Sequence, residues 1–426
     1  MLNQRNPFAA TDHSLFSTTG SPASGTISTR DALLAAAGSS FRDTWWRRGG
    51  ENLAEVFRSV SMAPFPRPAN LDEVRRRLAT GHPANDTAWR YPAAASPAHR
   101  TGEDPVAQAA AALRGTDHPL ASTLGCYLQS VRNSHDMLGA VHAGATSNAD
   151  FTRWSLGRWG SPSDNELAFA YDTVAAPEAP EAPADHPLAG ATVLAAVRRL
   201  LLVVAPDWTA TNRPGPASMS VSPKNRVVFV DATRNYPRSD VRRLLVHEIG
   251  GHVTRTLNAG HHHDVLATIP LGPDATATEE GLALSGESLL GVASGGQRRI
   301  YAARTIAVAV AQHGGIDEVF AALVPLVGEL EAATIAVRVK RGVPNLSQPG
   351  AFTKDHVYLS GFRRVRAAVD ARPELHPLLA SSKWGLEATQ KSGHLLRLDR
   401  HQPRLPDSAF LALVDDTLAR VRRAVS

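Results

Sequence analysis

"VHEIGGHVTRTLN", residues 246–258, is the stretch whose reading decides the fold. The familiar zinc-binding helix carries His-Glu-x-x-His, with two imidazoles four residues apart on one face. Here His247 and His252 are five apart. At about 100° per residue, a step of four leaves two side chains about 40° apart, and a step of five about 140°. A regular α-helix could not offer both rings to one ion. A single π-type turn would bring them back together, and such turns are short and concentrate at functional sites. Gly250 and Gly251 lie inside the spacing. Each costs about 1 kcal/mol relative to alanine in a helix interior. The pair therefore points to a widened backbone or a close neighbour, with His247 and His252 as ligands and Glu248 as the adjacent base.

Zinc in a hydrolase takes three protein ligands and leaves a position for water. "TEEGLA", residues 278–283, supplies the next acidic groups, Glu279 and Glu280, at the start of a following helix that Thr276 or Thr278 would cap. Acidic residues also favour helix N-termini for dipole reasons alone, so position leaves both glutamates open as the third ligand. The "HHH" tract at 261–263 cannot turn three consecutive rings to one ion, and it reads as a polar loop.

Working outward, "ASMSVSP" and "NRVVFVDA" flank a Pro-Lys-Asn turn and read as a β-hairpin feeding the motif helix, whose N-cap would be Ser239 or Asp240. "ATVLAAVRRLLLVVA" before them is a helix running toward a buried strand. Four regions are expected: a Ser/Thr/Gly/Pro-rich leader at 1–30, a mainly helical region at 31–175, a Pro/Ala/Glu linker or loop at 176–187, and a catalytic region at 188–426. A helix from Ser163 or Asp164 closes the second of these. A strand pair beside a metal-binding helix, in an otherwise helical chain, gives an α+β fold, mainly helical and zincin-like.

Composition narrows the function. Of 426 residues, 43% are hydrophobic and 20% charged, which suits a soluble domain with a sizeable core. No apolar run is long enough to span a membrane. The net charge of +5 is spread along the chain without a basic-aromatic stripe, so neither nucleic acid nor membrane is an expected partner. The single cysteine, Cys126, excludes an internal disulfide and reads as a buried spectator in a cytoplasmic protein. Only five of the 45 basic side chains are lysines, a GC-rich and bacterial pattern of usage. Each lysine is informative against that bias.

"HEIGGH" together with "TEEGLA" resembles the bacterial flavohaemoglobin expression-modulating QEGLA-motif proteins, a family itself similar to the microtubule-associated tyrosine carboxypeptidases. "SLGRWGSPSD" (155–164) and "RVKRGVPNLSQPGAFTKDHVYLSG" (338–361) extend the likeness. The resemblance implies one zinc ion held by His247, His252 and Glu280, with Glu248 as the catalytic glutamate. Glu279 stands where that family has glutamine. It further implies a carboxypeptidase acting on an exposed peptide or protein C-terminal tail. Such an enzyme needs a cation for the terminal carboxylate and a donor for the developing oxyanion. Lys340, Arg341 and Lys354 are the candidate cations, and Tyr358 the candidate donor. The rival expectation is a regulatory protein that keeps the zincin fold and binds without catalysis. Retention of Glu248 argues against it, because a structural zinc site has no use for a base.

Overall fold

The computed structural model describes Val60, Met62 and residues 64–92, 104–114, 120–177, 187–215, 217–261, 265–396 and 402–423. The expected leader, most of the expected linker, and His262 and His263 lie outside the described residues.

Five helices come first: α1 (Leu71–Ala79), α2 (Pro105–Leu113), α3 (Ala121–His142), α4 (Asn148–Trp159) and α5 (Asp164–Ala175). Ser163 caps α5 in a reciprocal box with Glu166, whose carboxylate accepts from the Ser163 N–H at 2.8 Å. Cys126 lies on the outer face of α3 and is exposed, contrary to the buried position expected from its apolar neighbours.

The short strand β1 (Leu188–Ala189) leads into α6 (Gly190–Val204), which ends without entering a strand. Strands β2 (Thr209–Asn212), β3 (Met219–Ser222) and β4 (Val227–Val230) form a three-stranded sheet in the order β2-β4-β3. The expected hairpin is present: β3 pairs antiparallel with β4, from Met219↔Val230 to Ser222↔Val227. Val228 and Val230 alternate onto the buried face of the sheet. Strand β5 (Asn235–Tyr236) pairs with β1, and α7 (Arg238–Leu245) begins directly after it. Its N-cap is Pro237 and not Ser239 or Asp240, because the strand already delivers the chain in an extended conformation.

Helix α7 continues into a π-helix, Val246–Val253, and then into α8 (Thr254–His261). The widening expected between the two histidines is therefore present over eight residues. Its inner face, Ile249 and Val253, packs with Val197 and Leu200 of α6, with the sheet, and with the last helix, α16 (Ser408–Arg423; numbered after the helices below). The two glycines are fitted to their neighbours. A Cβ on Gly250 would stand 2.8 Å from the Phe410 ring of α16, and one on Gly251 would stand 2.9 Å from Ala283 Cβ.

Between the π-helix and that last helix the chain forms α9 (Ala275–Leu289), α10 (Gly295–His313), α11 (Ile316–Val327), α12 (Glu329–Lys340), α13 (Val357–Ala371), α14 (Leu375–Ala380) and α15 (Leu386–Ser392). Helices α1 and α5 share one core with α10, α11 and α12, so residues on both sides of the 176–187 stretch bury the same apolar surface. No helix among the described residues is long and apolar enough to cross a membrane.

Helix α9 decides where the acidic motif sits. It starts at Ala275 after Asp274, so Glu279 and Glu280 lie in its second turn. Neither is placed to serve the helix dipole, which fades within the first turn. The motif's next residue, Gly281, meets Gly361 of α13 backbone to backbone. A Cβ on Gly281 would fall on the Gly361 carbonyl, and a Cβ on Gly361 on the Ala277 carbonyl. Overpacking of this kind costs about 1–3 kcal/mol where neighbours can relax, and backbone relaxes least. Gly281→Ala and Gly361→Ala should each lower stability by at least about 2 kcal/mol in denaturant unfolding. A stable Gly281→Ala protein would contradict this crossing.

Candidate metal centre

The π-helix brings His247 and His252 to one point, with their Nε2 atoms 3.2 Å apart and the rings edge to face. Glu280 reaches the same point from α9. Its Oε2 lies 3.5 Å from each Nε2. Three donor atoms, two nitrogens and one oxygen, thus form a nearly equilateral triangle. Tetrahedral zinc with bonds of about 2.0–2.1 Å would hold adjacent ligands about 3.3 Å apart. Glu280 Oε2 is also buried without a hydrogen-bond partner, which an acceptor in a closed protein interior rarely tolerates. Donor chemistry, spacing and the orphaned oxygen all fit a zinc ion.

Each histidine is held from behind by a different carboxylate. His247 Nδ1 lies 2.6 Å from Glu287 Oε1, and His252 Nδ1 lies 2.9 Å from Glu279 Oε1. In the neutral rings these contacts favour the hydrogen on Nδ1, which would leave each Nε2 lone pair to an ion. Glu287, two helical turns beyond Glu280 on α9, is itself 3.4 Å from the Arg243 guanidinium. Glu279 accepts from the Lys383 ammonium at 2.6 Å and pairs with Arg255. Arg255 is buried and also donates to the Leu379 and Trp384 carbonyls, tying α8 to the loop after α14. The position that differs from the QEGLA pattern is therefore an ionised carboxylate balanced by two cations. It stands behind a histidine, while Glu280 stands in the triangle.

Charge sets the titration of the cluster. Burial pushes the Glu280 carboxyl up, but Lys354 and the two histidines outweigh that and hold it well below the usual range. Glu279 is held low in the same way by Lys383 and Arg255. Burial pushes the His252 imidazole down, yet Glu279 and Glu280 raise it to about 9. Glu248 is buried next to His247 and makes no hydrogen bond or ion pair among the described residues, so its carboxylate is available to a water.

Lys354 and Tyr358 complete the rim. The Lys354 ammonium is 3.4 Å from Glu280 Oε1 and 3.5 Å from the Tyr358 hydroxyl. Tyr358 stacks on Tyr301 with ring centroids 5.0 Å apart. Lys354 is delivered by a short turn whose Asp355 is clamped by Arg338 at 2.6 and 3.0 Å. Arg341 lies 4.0 Å from Asp355 and over the Phe352 ring. Lys340 is elsewhere. Its fully buried ammonium donates to the carbonyls of Ala311, Gly314, Gln348 and Gly350 at 2.5–3.2 Å. Those four acceptors exhaust its three hydrogens, so it straps the 341–350 loop to the end of α10 and has none to offer a substrate carboxylate. His261 ends α8 and is exposed, and its Nδ1 lies 2.6 Å from the Leu257 carbonyl.

Sequence reasoning missed Glu287, Lys383, Arg243 and the role of Arg255. Two signals were available: the seven-residue step from Glu280 to Glu287, which returns to the same helical face, and the scarcity of lysine, which marks Lys383 as it marks Lys340 and Lys354.

This chain matches the microtubule-associated tyrosine carboxypeptidase family over residues 106–396, more than half its length. It belongs to that family. Among relatives, mouse microtubule-associated tyrosine carboxypeptidase 1 is 34% identical over 128 residues, or 29% of this chain and 27% of the mouse protein. The chain thus spans about a quarter of the curated relative it matches. The family match over residues 106–396 contains both histidines, Glu248, the Glu279–Glu280 pair, Glu287, Arg341, Lys354, Tyr358 and Lys383.

The carboxylates behind the histidines have a consequence for the metal-free protein. A base whose folded pKa is raised adds stability below its unfolded value, near 6.5, and loses it as pH rises through the folded value. The metal-free melting temperature should fall between pH 6.5 and about 9, where His252 loses its proton. In excess zinc that fall should vanish or reverse, because metal binds the neutral ring. Thermal unfolding with chelator and with zinc checks this. A metal-free protein that gains stability over the interval would contradict the pairing of His252 with Glu279 and Glu280.

Proposed function

We propose that this protein is a zinc-dependent carboxypeptidase of zincin type that trims an exposed peptide or protein C-terminal tail. The observation that carries this reading is the His247–His252–Glu280 triangle, with a carboxylate behind each ring and the unpaired Glu248 beside it. Family membership adds carboxypeptidase action, and a set of three donors among the described residues suits a catalytic site.

When bound, zinc supplies Lewis acidity that makes water a nucleophile near neutral pH and polarises a peptide carbonyl. His247, His252 and Glu280 would hold it, with Glu287 and Glu279 fixing the ring orientations. Glu248 takes the proton from the attacking water and returns it to the leaving amine. Lys354 and Tyr358, within hydrogen-bond reach of one another, stabilise the developing oxyanion or orient the scissile carbonyl. Arg341 and Lys354 receive the terminal carboxylate, which selects chain ends over internal bonds. Lys340, enclosed by carbonyls, acts by holding the loop that carries them.

Three variants test the assignment. Glu248→Gln should keep about one zinc per chain and lose peptide trimming by at least about a hundredfold, the usual size of a general-base effect. Glu280→Ala should lose zinc outright. Glu279→Ala should retain zinc with affinity weakened about 10- to 100-fold, as expected of a residue that orients a ligand. Metal analysis and mass spectrometry of a peptide library with free ends measure all three. Full trimming by Glu248→Gln, or zinc loss confined to Glu279→Ala, would overturn the assignment. A protein whose cellular effects survive Glu248→Gln intact would instead be a binding protein.

A further inference from the structure

Phe65 lies in the segment before α1, outside the 106–396 span that carries the family match. Its ring nevertheless reaches the rim of the metal cluster. Three cations surround it: the Lys354 ammonium 5.5 Å from the ring centroid, the Arg341 guanidinium at 5.6 Å and the Arg158 guanidinium at 5.9 Å. Edge-on contacts with Phe352 and Trp159, at 5.5 and 5.8 Å, fix the ring in place.

Acidic partners are scarce around these cations. Arg158 has no carboxylate partner among the described residues; it donates to the Ser134 hydroxyl and lies 4.5 Å over Trp159. Arg341 is buried and its Nε has no hydrogen-bond partner. Its nearest carboxylate, Asp355, is already clamped by Arg338. Lys354 has Glu280, one of the three converging donors. Buried cations need compensation. A carboxylate here would quench them, whereas the face of an aromatic ring attracts a cation and carries no net charge. The ring stabilises the cations and adds no further negative charge to that of Glu280 and Asp355.

We propose that Phe65 is a positioning residue of the carboxylate subsite: its ring, in contact with both side chains, holds Arg341 and Lys354 where they receive a C-terminal carboxylate. The inference rests on the peptidase reading for its substrate but not for its test. Binding of N-acetylglycine and of N-acetylglycinamide to the zinc-free protein, measured by calorimetry, separates the carboxylate from its neutral twin without hydrolysis or a metal contact. The wild type and Phe65→Tyr should prefer the carboxylate. Phe65→Leu, close in volume but without a π-face, and Phe65→Ala should lose that preference by roughly tenfold. If Phe65→Ala fails to fold, the Leu and Tyr variants decide. Wild-type preference in Phe65→Leu, or no preference in the wild type, overturns the proposal. A wild type that prefers the carboxylate, yet trims no free-ended peptide when loaded with zinc, would sink the peptidase reading and leave the subsite standing. With zinc, Phe65→Leu should raise KM; an unchanged KM counts against the subsite alone.

Discussion

Glu280 reaches the two histidines only because its helix lies almost without side chains between two others. On one flank Ala283 of α9 meets Gly251 of the π-helix; on the other, Gly281 meets Gly361 of α13. Helices normally pack with axes about 8–10 Å apart, the spacing set by the side chains between them. Removing those side chains lets the backbones approach, and a glutamate, with its short reach, can then close the triangle. Gly251 of "HEIGGH", Gly281 of "EGLA" and Gly361 of "YLSG" therefore answer to one steric requirement, while Gly250 makes room for Phe410 of α16. The π-helix pays for its Gly-Gly pair in helix propensity, and its contacts with α9, through Gly251, and with α16, through Gly250, use what that pair provides.

Charge is arranged with the same economy. Within the cluster, the carboxylates of Glu248, Glu279, Glu280 and Glu287 face the cations of Arg243, Arg255, Lys354 and Lys383. Four stand against four, so the protein part is close to neutral when both imidazoles are neutral. Zinc in the proposed mechanism would then bring an excess of positive charge that the interior has not already cancelled. An electrophilic centre attracts an anionic chain end and stabilises negative charge as it develops on a carbonyl. Glu279 contributes a further carboxylate, yet Lys383 and Arg255 absorb its charge. Glu279 thus bears on how His252 is oriented more than on the charge a metal would meet.

The π-helix was legible from the sequence because a five-residue step between two histidines and two glycines leave few alternatives to a π-turn. The hairpin was legible from two strand-like stretches flanking a Pro-Lys-Asn turn, and the mainly helical fold from periodicity. Less was legible wherever a residue acts through a partner distant in the chain. Thr276 and Thr278 looked like caps for α9, but the helix begins earlier. Thr278 instead accepts from the Leu386 N–H on another element. Cys126 among apolar neighbours looked buried, although the apolar side of α3 turns the other way. Lys340 beside Arg341 looked like part of a substrate clamp. The carbonyl cage that claims it is assembled from positions 311, 314, 348 and 350, and no local pattern announces such a cage.

Lysine usage was the strongest clue that remained partly unread. In a chain that uses arginine almost everywhere, three of five lysines are buried, and each makes a contact suited to a compact point charge. Lys340 fits inside a ring of carbonyls, where a planar guanidinium would need a wider opening. Lys383 sits tightly against one carboxylate oxygen beside Arg255, which covers the other. Lys354 stands between a phenol and Glu280, close enough to modulate a ligand without displacing it. Buried arginines are used where a fork is needed, as in the two-pronged grip of Arg338 on Asp355. The choice between the two residues thus tracks the geometry of the counter-group, and in so biased a composition that choice separates a site lysine from a surface one more sharply than motif membership does.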